Sequence, residues 1–159
     1  ETLPQASRYI TKAELWLENK LSYPEGIAED EAVFFPLLAS SKSTVVIPET
    51  YYRYRVGRPG SITLSPPNPK HAKDYLNIIL STIEFMTLRY DLIKADLSAW
   101  RYRLGKKGLN YVSMCLKTNT PISWITILIV FYRAKSISFP LKLLWRILRH
   151  FFSNNNLKK

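Results

Sequence analysis

The sequence predicts an α/β front portion, residues 1–65, then a mostly helical portion, residues 66–152, and a disordered tail, residues 153–159. Ser43–Ile47 is short and β-branched between Ser-Lys-Ser and Pro48, and Tyr51–Val56 alternates aromatic and basic residues; both patterns suit strands. Ser65-Pro66-Pro67-Asn68-Pro69 interrupts any regular element and marks a subdomain boundary. Beyond it, Tyr75, Leu76, Ile79, Ile83, Met86 and Tyr90 recur at helical spacing.

Taken in order, Ser7–Leu21 mixes Tyr9, Ile10, Leu15, Trp16 and Leu17 with charges and reads as a short helix plus a loop. Tyr23-Pro24-Glu25-Gly26 is a turn: Pro24 presets one backbone angle and Gly26 permits a positive one. Glu29-Asp30-Glu31 before Ala32-Val33-Phe34-Phe35 suits a helix start, where carboxylates meet free amides and the positive end of the dipole. Pro36 is expected to kink or split that helix. Gly57-Arg58-Pro59-Gly60 forms a tight loop after the second strand.

In the helical portion, one helix is expected from Lys70 to about Leu97 and a second over Ser98–Leu116, with Gly105 and Gly108 weakening it midway. Ile122–Tyr132 is nearly all apolar but shorter than the ~20 residues a bilayer span needs. Pro140 opens the last element, Leu141–Phe152, in which Lys142, Arg146, Arg149 and His150 are set among Leu, Ile, Trp and Phe. There is no internal repeat. The chain starts at Glu1, as a processed or excised segment would, and shows no secretory signal. Its single cysteine, Cys115, rules out an intrachain disulfide and reads as a small apolar residue in a reducing compartment.

Charge is unevenly placed. Residues 1–50 hold four Lys/Arg against eight Asp/Glu, residues 51–159 hold nineteen against four, and no acid follows Asp96. A basic half of this kind faces an anionic partner or is simply a solvated surface. Because the cations of Leu141–Phe152 alternate with bulky apolar groups, an anionic membrane surface is the expected partner. Trp145, Lys142, Arg146 and Arg149 are the expected membrane contacts, with Ile122–Tyr132 inserting shallowly beside them. Packing of these faces on the rest of the chain is the alternative.

One run carries a more specific signal. Leu-Ser-Tyr-Pro-Glu-Gly-Ile-Ala-Glu-Asp-Glu (21–31) is followed by an apolar helix and a strand. Then come Pro48-Glu49-Thr50-Tyr51-Tyr52-Arg53-Tyr54-Arg55 and Arg58-Pro59-Gly60-Ser61-Ile62-Thr63. This resembles the second half of bacterial family-2 glycosyltransferases of the capsule and surface-polysaccharide kind, over roughly residues 5–65. Those enzymes are inverting and GT-A-type. The resemblance implies that the α/β front is the C-terminal portion of a Rossmann-like GT-A fold: a helix and two or three strands completing the edge of its sheet. It implies transfer of a sugar from a nucleotide-sugar donor to a polysaccharide or lipid-linked acceptor, in a cytoplasmic enzyme peripheral to the inner face of the plasma membrane.

Such chemistry needs a base that removes the acceptor hydroxyl proton as the oxygen attacks the anomeric carbon. By the resemblance Asp30 is that base and Glu29 its supporting or acceptor-orienting neighbour; two adjacent carboxylates repel, which raises the proton affinity of one. From position alone, Asp30 reads first as a cap for a helix starting at Glu31, and the surrounding motif reverses that preference. Arg55 and Arg58 are candidates for the donor diphosphate or the acceptor, since guanidinium pairs with phosphate oxygens in a bidentate fork. Tyr54 and Ser61 belong to the same segment. The alternative for the arginines is ion pairing with acids such as Glu49.

Family members hold a divalent metal, Mg2+ or Mn2+, with an Asp-x-Asp motif on an N-terminal nucleotide-binding half. This sequence has no Asp-x-Asp, no glycine-rich phosphate loop and no Cys/His cluster; His71 and His150 stand apart and read as surface residues. No metal is therefore expected on this segment, and the nucleotide-binding half is expected on a missing N-terminal region or a partner subunit, with the segment alone inactive. Two other functions compete. A non-catalytic interaction or scaffold remnant would need only the surfaces. A nucleic-acid module would use Arg53, Arg55 and Arg58 among tyrosines, but the acidic first third and the long apolar runs argue against nucleic acid.

Overall fold

A computed structural model describes residues 9–26, 29–48 and 65–156 of the chain. The chain divides into two compact units, Glu1–Pro66 and Pro67–Lys159.

In the first unit, α1 (Ala13–Glu18) and α2 (Glu29–Ser40) pack together. α1 stops because the chain turns left-handed at Lys20 (φ 52°), and Leu21 N–H donates back to the Trp16 carbonyl at 2.9 Å. Trp16 Nε1 donates to Thr11 Oγ1 at 2.6 Å, and its ring lies 5.1 Å from that of Tyr23. Tyr9 packs 5.3 Å from Phe34 of α2, whose own ring meets Phe35 edge-on. Val33 and Leu37 of α2 are buried. α2 runs unbroken through Pro36, which is itself buried, so the proline does not split the helix.

The expected α/β front is not what forms: among the described residues every regular element is helical and there is no strand. Ser43–Ile47 takes no regular structure, and Val45, Val46 and Ile47 are exposed by 83%, 85% and 55%. β-branched residues favour a strand only where a neighbouring strand takes their hydrogen bonds and a packed face takes their side chains. Neither is present beside this run among the described residues. The protein is thus mostly helical, not a portion of a Rossmann-like GT-A sheet. The second predicted strand, Tyr51–Val56, lies outside the described residues.

The second unit is built on one central helix. α3 (Pro69–Leu88) begins with Pro69 in its first turn and Asn68 as its cap. Asn68 Oδ1 accepts from His71 N–H at 3.3 Å, and His71 Nδ1 accepts from Asn68 N–H at 3.3 Å. This reciprocal cap uses histidine where Glu or Gln is usual, and it buries His71 to 7% exposure, correcting the surface reading. The single long helix expected to Leu97 ends instead at Arg89. A short α4 (Tyr90–Ile93) and a 3-10 turn (Lys94–Asp96) then carry Ile93 into the core and return the chain alongside α3.

α5 (Leu97–Thr118) packs on α3, on α6 (Trp124–Ala134) and on α7 (Ser138–Asn156). Its α3 side buries Trp100, stacked 5.3 Å from Phe85. Its other side carries Gly105 and Gly108, and the helix runs unbroken through both. A Cβ on Gly108 would lie 2.7 Å from Val130 Cγ1, and one on Gly105 would lie 3.6 Å from Ala134 Cβ. Glycine in a helix costs about 1 kcal/mol against alanine, whereas full burial of a Val or Phe side chain contributes about 1.5–3 kcal/mol. Val130 and Phe139, 0% and 2% exposed, both pack on this notch, so packing outweighs propensity. α5 ends on Asn119 and α6 on Lys135, both left-handed (φ 50° and 48°). Between them, Ser123 N–H donates to Tyr111 Oη at 2.9 Å and holds the connection against α5. Helix α7 continues through residues 153–156, which were expected to be disordered.

Candidate functional site

The first unit gathers its acids at the start of α2. Glu29, Asp30 and Glu31 form the first turn, so Asp30 lies within the helix and not one residue before it. Its Oδ1 accepts the Glu31 N–H at 2.9 Å, satisfying one of the free amides of that turn. Burial raises the Asp30 carboxyl above its ordinary value and the adjacent Glu29 raises it further; the Glu31 amide works in the opposite direction. The net result is a half-buried carboxylate of increased basicity.

Tyr9 was not singled out in the sequence, yet it shares this environment. Its hydroxyl lies 3.1 Å from that of Tyr23. Burial, then the bonded Tyr23, then the charges of Asp30 and Glu29 push its ionisation well above the usual value, so it stays a protonated donor. The only signal available in the sequence was that Tyr23 opens the Tyr-Pro-Glu-Gly turn just ahead of the acids. Arg55, Arg58, Ser61 and Tyr54 lie outside the described residues.

The second unit presents a different surface. Trp145 is 65% exposed on α7, and Leu141, Leu144, Leu148 and Phe152 are exposed on the same side; Lys142 and Arg149 are exposed beside them. Arg146 behaves otherwise. Its Nη1 donates to the Leu109 carbonyl at 3.1 Å and to Ser113 Oγ, so it braces α7 against α5 instead of facing outward with the other three predicted contacts. In α6, Trp124, Ile125, Leu128 and Tyr132 are exposed. Among the described residues no helix is long and apolar enough to cross a membrane.

Cys115 is buried in α5, and burial raises its thiol above the ordinary value. Among the described residues no three His, Cys, Asp or Glu side chains converge in a way that would hold a metal ion. Compared with protein-family models, with curated proteins and with solved structures, the chain gives no match.

Proposed function

We propose that the chain is the acceptor-side portion of an inverting sugar transferase that moves a sugar from a nucleotide-sugar donor to a polysaccharide or lipid-linked acceptor. The observation that carries this reading is the Glu29–Asp30 pair on the first turn of α2, with Asp30 half-buried and made more basic by burial and by Glu29. It stands inside the Tyr-Pro-Glu-Gly to Glu-Asp-Glu motif that resembles family-2 glycosyltransferases.

In this reading the Asp30 carboxylate accepts the proton of the acceptor hydroxyl as that oxygen attacks the anomeric carbon. The bond from that carbon to the nucleoside diphosphate breaks on the opposite face, and configuration inverts. A carboxylate whose proton affinity is raised toward the working pH is a better base than an ordinary surface aspartate. Glu29 orients the acceptor. Arg55 and Arg58 meet the donor diphosphate or the acceptor, with Tyr54 and Ser61 supporting them. Nucleotide binding, and the Mg2+ or Mn2+ that family members use with it, is supplied by a region outside this chain. The location that fits is the cytoplasm, peripheral to the inner face of the plasma membrane, where nucleotide sugars meet lipid-linked acceptors.

The test is release of nucleoside diphosphate from a panel of UDP- and GDP-sugars by the longer enzyme containing this segment and by the 159-residue chain alone. Acceptor-dependent release by the former, and none by the latter, is expected. Turnover by the isolated chain would overturn the division of labour.

A further inference from the structure

A helix on a protein surface ordinarily turns its apolar stripe inward. α7 has two. Phe139, Leu143 and Ile147 lie on the side that packs, with Phe139 fully buried and the other two part-buried. Leu141, Leu144, Trp145, Leu148 and Phe152 recur at three- and four-residue steps on the opposite side and are exposed by 39–70%. The helix cannot roll to hide this second stripe, because Arg146 ties it to the Leu109 carbonyl and to Ser113 Oγ of α5. Lys142 and Arg149, both exposed, project along one border of the stripe.

The charge identifies the occupant. No acidic residue follows Asp96, so nothing on α5, α6 or α7 after that point neutralises these cations. A second copy docked about a two-fold axis on this face would bring a second Lys142 and Arg149 into the same interface, with no acidic residue of α7 to offset them. A surface of phosphate head groups over hydrocarbon matches both parts of the face: the apolar stripe enters the acyl boundary, an indole such as Trp145 sits at head-group level, and the cations remain among the phosphates.

We infer that the outward face of α7 seats on an anionic phospholipid surface, lying in the plane of the interface, with Leu141, Leu144, Trp145, Leu148 and Phe152 inserted and Lys142 and Arg149 on the phosphates. The exposed Trp124, Ile125, Leu128 and Tyr132 of α6, only three residues before α7 in the chain, extend the same contact. Arg146 is a positioning residue that fixes which side of α7 faces outward. This inference rests on the peripheral location proposed above and specifies the surface responsible for it.

The test is flotation of the full chain with vesicles of equal parts phosphatidylglycerol and phosphatidylcholine, against vesicles of phosphatidylcholine alone. Co-flotation is expected with the anionic vesicles at low ionic strength, weakening as salt is added. Trp145→Glu with Leu148→Glu should lower partitioning about tenfold or more, and Lys142→Glu with Arg149→Glu should remove most of the salt-sensitive part. Far-ultraviolet circular dichroism verifies that each variant retains its helices. Asp30→Asn should leave flotation unchanged, which separates this inference from the sugar-transfer reading. Absence of flotation by the folded chain at low salt overturns it. So does binding that survives both pairs of substitutions, or a dimer that Trp145→Glu with Leu148→Glu converts to monomer while vesicles are ignored.

Discussion

Gly108 of α5 and Val130 of α6 approach so closely that a Cβ on the glycine would lie 2.7 Å from the valine Cγ1. Real Cβ atoms do not come so near a neighbour, and Val130 is fully buried and β-branched, with little freedom to move aside. The packing of α6 and α7 on α5 depends on that missing methyl.

Gly108→Ala should therefore lower stability by up to about 2 kcal/mol, an overpacking cost of about 1–3 kcal/mol less the roughly 1 kcal/mol gained in helix propensity. Gly105→Ala meets only ordinary contacts at 3.6 Å and should raise stability by up to about 1 kcal/mol. Urea denaturation of the two variants checks this, and the opposite signs are the point. A stability gain from both would mean that α6 does not approach α5 as described.

Arg146 and Arg149, three residues apart in the same helix, should behave differently. Arg146→Met removes two hydrogen bonds from α7 to α5 and should cost about 1–3 kcal/mol. Arg149→Met, at an exposed position, should stay within about 0.5 kcal/mol of the parent. Equal costs in denaturant titration would remove the bracing role.

Helix periodicity made α3 legible, because its apolar residues sit where a 3.6-residue repeat puts them, and α5 was read as a second helix; Ile122–Tyr132 of α6 is apolar nearly all round and carries no such repeat. Three things were hidden for physical reasons. The β-branched run at Ser43–Ile47 looks like a strand locally, but a strand is a pairing between segments, which a local pattern does not contain. Gly105 and Gly108 look like weak points because propensity ignores the neighbour that needs the space. Arg146 looks like its sister cations because sequence spacing places it at the edge of the stripe without saying that Ser113 lies within reach. In the candidate site the acids Glu29 and Asp30 were visible as a motif. Tyr9 was not, since its proximity depends on how the opening segment folds onto α2.

The pH dependence of stability follows from the raised Asp30. Between its ordinary value of 3.8 and its higher folded value, the folded chain holds more proton than the unfolded chain. Stability should therefore fall as pH rises across that window, and the loss persists above it. Asp30→Asn, which keeps an oxygen acceptor for the Glu31 amide, should flatten this slope in mildly acidic buffer. Thermal melts of both forms across the window check the sign; a steeper slope in the variant would contradict the assignment.

The most direct measurement is acceptor-dependent release of nucleoside diphosphate from UDP- and GDP-sugars at saturating donor and acceptor, with Asp30 and with Asp30→Asn, by this segment joined to the nucleotide-binding region that the proposal requires. General-base catalysis by the Asp30 carboxylate predicts a loss of about 10²–10⁴-fold, with substrate binding largely kept. Full turnover with asparagine at that position would contradict it.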